Sequence, residues 1–156
     1  HRKMEKRDSA TAPHVGDRIW YVIVREIKGR RELLVFRHRD FPDAGLQVPA
    51  GTVNEGEEIV AALHREITEE TGLVGLTGTV PLAVYDWIHP ISGNTHERHV
   101  FSLSAPPGTP DTWEWTETSG GEVSEADGYV FCFAWADLAG EIDLAGHQGD
   151  YLHKIR

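Results

Sequence analysis

Three glutamates in the middle of the chain have the spacing that divalent-metal chemistry requires. Glu66, Glu69 and Glu70 stand at positions i, i+3 and i+4, so on a helix they share one side. Like charges at this spacing destabilise an isolated helix by roughly a few tenths of a kcal/mol per pair. A divalent cation held by carboxylate oxygens would offset that repulsion. The spacing therefore predicts a metal site on one face of a helix.

The apolar residues of the same segment indicate which way that face points. Ile59, Leu63 and Ile67 recur at helical spacing and predict a stripe that packs on the core. Glu66 and Glu70 fall in or beside this stripe. A carboxylate next to a core face is costly unless it is paired or bound to a metal. An ordinary solvated acidic face therefore explains the pattern poorly.

The segment from 51 to 73 as a whole resembles the motif of the Nudix hydrolase family. That motif is a glycine, five residues, a glutamate, seven residues, and then Arg-Glu-aliphatic-any-Glu-Glu-any-Gly-aliphatic. Every fixed position is filled here, by Gly51, Glu57, Arg65, Glu66, Ile67, Glu69, Glu70, Gly72 and Leu73. Nine constrained positions at fixed spacing are far more specific than a lone glycine pattern, so the chain is identified as a member of this family.

The resemblance implies both an activity and a cofactor. The expected enzyme is a metal-dependent pyrophosphohydrolase that cleaves the diphosphate bond of a nucleoside diphosphate linked to another moiety, with Mg²⁺ as the metal and Mn²⁺ as the alternative. By resemblance, Glu69 and Glu70 are the core metal ligands, and Glu66 is a ligand or the base that activates water. The backbone carbonyl of Gly51 is expected to supply a further ligand.

Two other motif residues have simpler explanations besides a catalytic one. Arg65 is expected to orient Glu57 or Glu66, although salt bridges along the helix would also account for it. Asn54 followed by Glu57 has the form of a helix N-cap with its reciprocal partner. Capping therefore explains Glu57 as well as metal contact does.

Many members of the family recruit one more acid from a loop outside the motif. The segment 105–127 is long and rich in Pro, Gly, Thr, Ser and Glu, and loops of this length are often functional. Its acids are Glu114, Glu117, Glu122 and Glu125. Glu122 ranks first as a metal ligand because it follows Gly120-Gly121 and lies closer to the last strand, and Glu125 ranks second. For each, a solvated position in the loop is the alternative.

Basic and aromatic residues supply the candidates for substrate binding. Arg37 and Arg39 flank His38 at the end of the second predicted strand, where a guanidinium could hold a distal phosphate. Trp87 lies near a predicted loop and could stack on a base. Trp113 and Trp115 could do the same, but they alternate with Glu114 as on a strand with one apolar face, so plain packing also explains them.

Other members of the family define the alternatives. One is a triphosphatase that removes oxidised nucleotides of the 8-oxo-dGTP type, and another is a nucleotide-sensing Nudix domain without catalysis; retention of all motif glutamates favours an enzyme. An isopentenyl diphosphate isomerase would need a cysteine near a different motif, which Cys132 does not match. Signatures of ADP-ribose, diadenosine polyphosphate, coenzyme A and NADH pyrophosphatases are incomplete or absent. The nucleotide cleaved is therefore left open.

Composition is that of one ordinary enzyme domain. With 156 residues and 40% hydrophobic content the chain can bury one core, and residues 15–156 are predicted to form a single Nudix domain after a tail at 1–14. A net charge of −10 argues against long nucleic acids as partners. No apolar stretch approaches the ~20 residues that cross a bilayer, so a cytoplasmic protein is expected. The resemblance adds a homodimer, since this fold often dimerises.

The elements that must position these residues alternate between strand and helix. Strands are predicted at 18–28, 32–38, 46–49, 80–88, 97–104 and 129–135, and helices after Asn54, at 137–141 and at 148–156. Gly72 is expected to end the first helix. The resemblance implies an α/β fold, a Nudix-type α/β/α sandwich with a mixed β-sheet.

Overall fold

A seven-stranded sheet forms the framework of the structure, a computed structural model that describes residues 17–88, 90–118, 128–145 and 148–155, with only the backbone of Trp87. Its strands are β1 (Arg18–Ile27), β2 (Arg30–His38), β3 (Ala50–Thr52), β4 (Thr77–Ile88), β5 (Thr95–Ser104), β6 (Trp113–Thr116) and β7 (Val130–Asp137). The helices among these described residues are α1 (Ile59–Thr71) and two 3-10 helices at Pro42–Ala44 and Gln148–Lys154.

Strand β1 lies at the centre of this sheet. The strand order is β4-β5-β1-β2-β7-β6, and β3 pairs with β1 outside that order. β1 runs parallel to β5, whereas the other pairs are antiparallel. The second half of β1 pairs with β2, and its first half pairs with β3, which places Gly51 opposite Ile19. The predicted α/β fold with a mixed sheet is confirmed.

Each face of the sheet carries its own apolar core. Ile19, Tyr21 and Ile23 point to the face that α1 covers, where Leu63 and Ile67 are fully buried. The alternate residues of β1 point to the other face, which the 3-10 helix at Gln148–Lys154 covers instead of an α-helix. Burial on both faces explains why the β1 sequence is almost continuously apolar. Among the described residues, no helix combines the length and apolar character needed to span a bilayer.

Helix α1 follows the predicted pattern except at its start. The helix ends at Gly72, whose φ of 81° is left-handed and whose N–H donates to the Thr68 carbonyl, as predicted. It begins at Ile59, so the prediction of Asn54 as its N-cap is wrong. The Asn54 N–H instead donates to the Glu57 carboxylate at 3.0 Å, which closes a separate turn before the helix.

Three predicted elements differ from the structure. Residues 46–49 form only a bridge from Gln47 to Phe36, because Pro49 has no N–H to donate, and the strand follows at Ala50. Of the predicted helix at 137–141, Asp137 ends β7 and residues 138–140 form a turn, in which the Asp137 carboxylate accepts the Ala139 N–H and so competes with helix formation. The predicted loop 105–127 contains strand β6.

Strand β6 closes the C-terminal end of α1. The indole N–H groups of Trp113 and Trp115 donate to the carbonyls of Thr71 and Glu69, both at 2.9 Å. These carbonyls belong to the last helical turn, where they have no partner within the helix. Trp113 also stacks on Phe133 at 4.9 Å. Both tryptophans therefore pack against the helix, in agreement with the packing interpretation of their alternation.

Replacement of Gly72 is expected to lower stability more than replacement of another left-handed glycine. Gly75→Ala should cost about 1 kcal/mol of unfolding free energy through backbone strain, because nothing lies within 4 Å of the added Cβ. Gly72→Ala should cost about 1–3 kcal/mol more, since its Cβ would lie 2.6 Å from the Trp115 ring. Urea denaturation of both variants measures the difference. Equal losses of unfolding free energy in the two variants would show that the contact with Trp115 does not contribute to the cost.

Candidate active site

The three spaced glutamates of α1 lie against the sheet and are largely buried. The side chains of Glu66 and Glu69 are 12% and 11% exposed, and Glu70 is 6% exposed. Glu66 accepts the Thr52 N–H at 2.9 Å, and Glu70 accepts the Tyr21 hydroxyl at 2.6 Å. The helix therefore turns its acidic side toward β1 and β3.

Gly51 is required by the close approach of α1 to β3. A Cβ at this position would lie 2.2–2.6 Å from the carboxyl end of Glu66, a separation that real atoms do not tolerate. A larger residue at this position would displace the Glu66 carboxylate. The backbone of Gly51 is thereby held directly beside an acid that the sequence identified as a metal ligand.

Arg65 binds several groups of the motif at once. It donates two hydrogen bonds to the Glu57 carboxylate, at 2.6 and 2.9 Å, and one to Glu69 at 3.0 Å. A further hydrogen bond reaches the Thr52 carbonyl at 2.9 Å, and Glu66 lies at 3.4 Å. Glu57 thus anchors Arg65, with its carboxylate shared between the guanidinium and the preceding turn.

The charges of the motif are compensated unequally. Hydrogen bonds from Arg65 lower the pKa of Glu57. Burial raises the pKa of Glu66, and it raises that of Glu70 well above 4.5, with the charge of Glu66 as the next cause. Burial and the charge of Glu70 likewise raise the pKa of Tyr21. A cation beside Glu66 and Glu70 would favour their ionised forms, and their oxygen atoms suit Mg²⁺ or Mn²⁺.

This arrangement predicts the pH dependence of stability without metal. Glu70 titrates near 4.5 in the unfolded chain but higher in the folded protein, so its ionisation destabilises the fold. The free energy of unfolding should therefore fall as pH rises through the folded pKa, and Glu70→Gln should abolish this part of the loss. Urea denaturation in EDTA at about pH 5.5 and about pH 8 tests it. Parallel pH profiles of the two proteins would contradict the prediction.

An acid from the segment after β6 completes the cluster. Glu117 hydrogen-bonds to Glu70, and its N–H donates to the Tyr129 carbonyl at 2.9 Å. The neighbouring Thr118 N–H donates to the Glu69 carbonyl at 3.3 Å. The first-ranked loop acids, Glu122 and Glu125, lie outside the described residues. Glu117 is therefore the loop acid that the described part of the chain brings to the site.

Comparison with known proteins agrees with this geometry. The family described as the NUDIX domain matches residues 17–152. The chain belongs to the NUDIX family.

Solved NUDIX structures share the fold at low sequence identity. The NUDIX domain of Shewanella oneidensis NrtR, complexed with ADP ribose, is 13% identical with a TM-score of 0.61, over 99% of this chain and 97% of that one. A C. elegans Ap4A hydrolase in a binary complex is 19% identical with a TM-score of 0.58, over 90% and 95%. A MutT NUDIX hydrolase from Burkholderia pseudomallei is 24% identical with a TM-score of 0.53, over 90% and 98%.

A curated relative matches only a short stretch. The DNA polymerase delta catalytic subunit of Plasmodium falciparum (isolate K1 / Thailand) is 55% identical over 31 residues, which are 20% of this chain. The chain spans 3% of that protein's length, so this match says nothing about its function.

The predicted phosphate contacts lie away from the NUDIX motif. Arg37 follows Leu33 and Val35 in pointing to the opposite face of the sheet, where it lines a recess with Leu46 and Leu144. Arg39 is exposed. It pairs with Asp40 at 3.2 Å and lies 3.9 Å from the Glu114 carboxylate. The structure does not bring either arginine to the acids, because strand alternation places His38 on that face instead. The side chain of Trp87 lies outside the described residues.

Sequence reasoning missed two features that the NUDIX fold assembles. The apolar pattern of the first strand predicts that Tyr21 is a core residue, and nothing in the sequence indicates that its hydroxyl reaches Glu70. The second feature is a group formed by Asp17, Glu97 and His99, whose potential ligand atoms lie within 4.8 Å of one another. Asp17 accepts the Glu97 N–H at 2.8 Å. The parallel pairing of β1 with β5 joins these residues, which are 80 positions apart.

Proposed function

We propose that this NUDIX protein is a divalent-metal-dependent pyrophosphohydrolase that cleaves a diphosphate bond in nucleoside diphosphate derivatives. The observation that carries the proposal is the acidic side of α1, where Glu66 lies against the backbone of Gly51, Glu69 pairs with Arg65, and Glu70 hydrogen-bonds to Glu117. Arg65 compensates Glu69, but burial raises the pKa values of Glu66 and Glu70, so a further positive charge beside these two acids would favour their ionised forms. A cation that also binds substrate phosphates would supply it.

The acids and the Gly51 carbonyl would hold Mg²⁺ or Mn²⁺. When bound, such an ion lowers the pKa of a coordinated water and neutralises charge on phosphate oxygens. The protein's own groups fix the geometry. Arg65 holds Glu69 from one side, Tyr21 holds one oxygen of Glu70, and the Thr52 N–H holds one oxygen of Glu66. Each acid therefore keeps a defined orientation before any ligand arrives.

A screen that separates the nucleotide products by chromatography tests the activity, because cleavage of these diphosphate bonds yields shorter nucleotides, phosphomonoesters or pyrophosphate and not free inorganic phosphate. The panel comprises nucleoside triphosphates including 8-oxo-dGTP, nucleotide sugars, diadenosine tetraphosphate and ADP-ribose, each with Mg²⁺, with Mn²⁺ and with EDTA. The last two substrates are included because proteins of the same fold are an Ap4A hydrolase and a domain bound to ADP ribose. Metal-dependent turnover of any member supports the proposal. Binding of ADP-ribose without turnover of any member would indicate a sensor and overturn it.

A separate binding measurement locates the metal. Mn²⁺ binding measured by electron paramagnetic resonance is expected to weaken in Glu70→Gln but not in Glu97→Gln, which alters the group at Asp17 by an equally conservative change. The reverse result would place the metal at the Asp17 group. The homodimer and the cytoplasmic location stay predictions.

A further inference from the structure

Four aromatic rings form a continuous group where β2 and β7 meet. His38, Phe41, Tyr129 and Phe131, here called the aromatic corner, contact one another with ring centroids 4.7–6.2 Å apart. The contacts are edge-to-face, with angles between ring planes of 67–89°. The rings therefore meet edge to face and do not form a parallel stack.

The outer part of the corner is open to solvent and the inner part is anchored. Phe41 is 54% exposed and Tyr129 is 36% exposed, whereas Phe131 is 5% exposed. Phe131 packs on Phe36 at 4.3 Å and so joins the corner to the core under α1. Two exposed rings on a rigid base are a suitable surface for another flat ring.

The corner lies on the same face of the sheet as the acids. Phe36 and Phe131 belong to the core under α1, and strand alternation puts His38 and Tyr129 on that face too. The Tyr129 carbonyl accepts the N–H of Glu117, whose carboxyl hydrogen-bonds to Glu70. Cross-strand neighbours of this kind have their side chains about 5 Å apart. Tyr129 of the aromatic corner and Glu117 of the carboxylate cluster are therefore direct cross-strand neighbours.

We propose that the aromatic corner is the subsite that stacks the nucleobase of the substrate whose diphosphate lies at the carboxylates. The inference rests on the proposed function and specifies how its substrate is recognised. Phe41 or Tyr129 presents its face to the base, and the other ring contacts the edge of the base. Because every base has a π-face, stacking discriminates weakly among bases. The protein therefore accepts several nucleobases with similar affinity.

The test removes both exposed rings and measures nucleotide binding. The double variant Phe41→Leu/Tyr129→Leu is expected to bind AMP about tenfold to a hundredfold more weakly in isothermal titration calorimetry with Mg²⁺, the range expected for loss of base stacking. Binding of inorganic pyrophosphate, which has no base, is expected to stay within about twofold. The control is Tyr151→Leu, which removes a ring that stacks on Tyr85 at 5.8 Å on the opposite face of the sheet.

Each outcome separates this inference from the proposed function. Unchanged AMP binding in the double variant would overturn the inference even if the wild type hydrolyses nucleotides. Equal weakening of AMP and pyrophosphate would also overturn it, because the substitutions would then act on the acids or on the fold. A wild type that binds AMP through the corner but cleaves nothing would support the subsite while the proposed function fails. Preference for one base by more than about a hundredfold would contradict recognition by stacking.

Discussion

Glu70→Gln is expected to lower metal-dependent turnover by about a hundredfold or more, since a bound cation contributes several kcal/mol to charge stabilisation. The amide keeps the shape of the side chain and the hydrogen bond from Tyr21, but it removes the charge that attracts the metal. The fold should survive, because a buried carboxylate with a raised pKa is replaced by a neutral group. The loss should appear mainly as weaker Mg²⁺ affinity, so that a higher Mg²⁺ concentration is needed for half-maximal turnover.

Glu58→Gln is the matched control for this prediction. Glu58 belongs to the same segment but is exposed just before α1, so the same chemical change there should leave turnover within about twofold. Initial rates measured across a series of Mg²⁺ concentrations separate metal affinity from maximal rate. Undiminished hydrolysis by Glu70→Gln would exclude Glu70 as a ligand.

Arg65→Met is expected to lower both stability and activity. The substitution removes two hydrogen bonds to Glu57, one to Glu69 and one to the Thr52 carbonyl. Hydrogen bonds to charged partners contribute about 1.5–3 kcal/mol each, and because the Arg65 side chain is 26% exposed we expect a total loss of about 2 kcal/mol. Turnover should fall at least about tenfold, because Glu69 loses its anchor.

Arg30→Met gives the comparison for Arg65. Arg30 also pairs with a glutamate, at 3.5 Å, but its side chain is 57% exposed and the pair should contribute less than about 1 kcal/mol. Chemical denaturation and initial rates of both variants give the two readouts. If Arg65→Met were no more harmful than Arg30→Met, the orienting role of Arg65 would be wrong.

The motif and the buried stripe of α1 were predictable because they depend on residues close together in the chain. Leu63, Ile67, Glu66 and Glu70 occupy the sides of the helix that a period of 3.6 residues assigns to them. Gly72 ends the helix because glycine readily adopts the left-handed backbone conformation found there. Local spacing is sufficient for such features.

The rest of the site depends on pairings that spacing does not reveal. Tyr21 reaches Glu70 only because β1 lies under α1, and Asp17 meets Glu97 only because β1 and β5 are parallel. One local signal in the sequence points to the loop acid of the site. The alternation of Trp113 and Trp115, continued by two residues, places Glu117 on the face of the acids. The same alternation places His38, and not Arg37 or Arg39, on the face of the acids.

The hydroxyl of Tyr21 ties the acidic helix to the most deeply embedded strand of the molecule. Tyr21 is fully buried in β1, so the hydroxyl that holds Glu70 has a position fixed by the core of the sheet. The exposed rings at the strand ends carry no such constraint. New nucleotide preferences could therefore arise by replacing peripheral side chains while the bond-breaking apparatus keeps its shape, a separation that favours diversification within one scaffold.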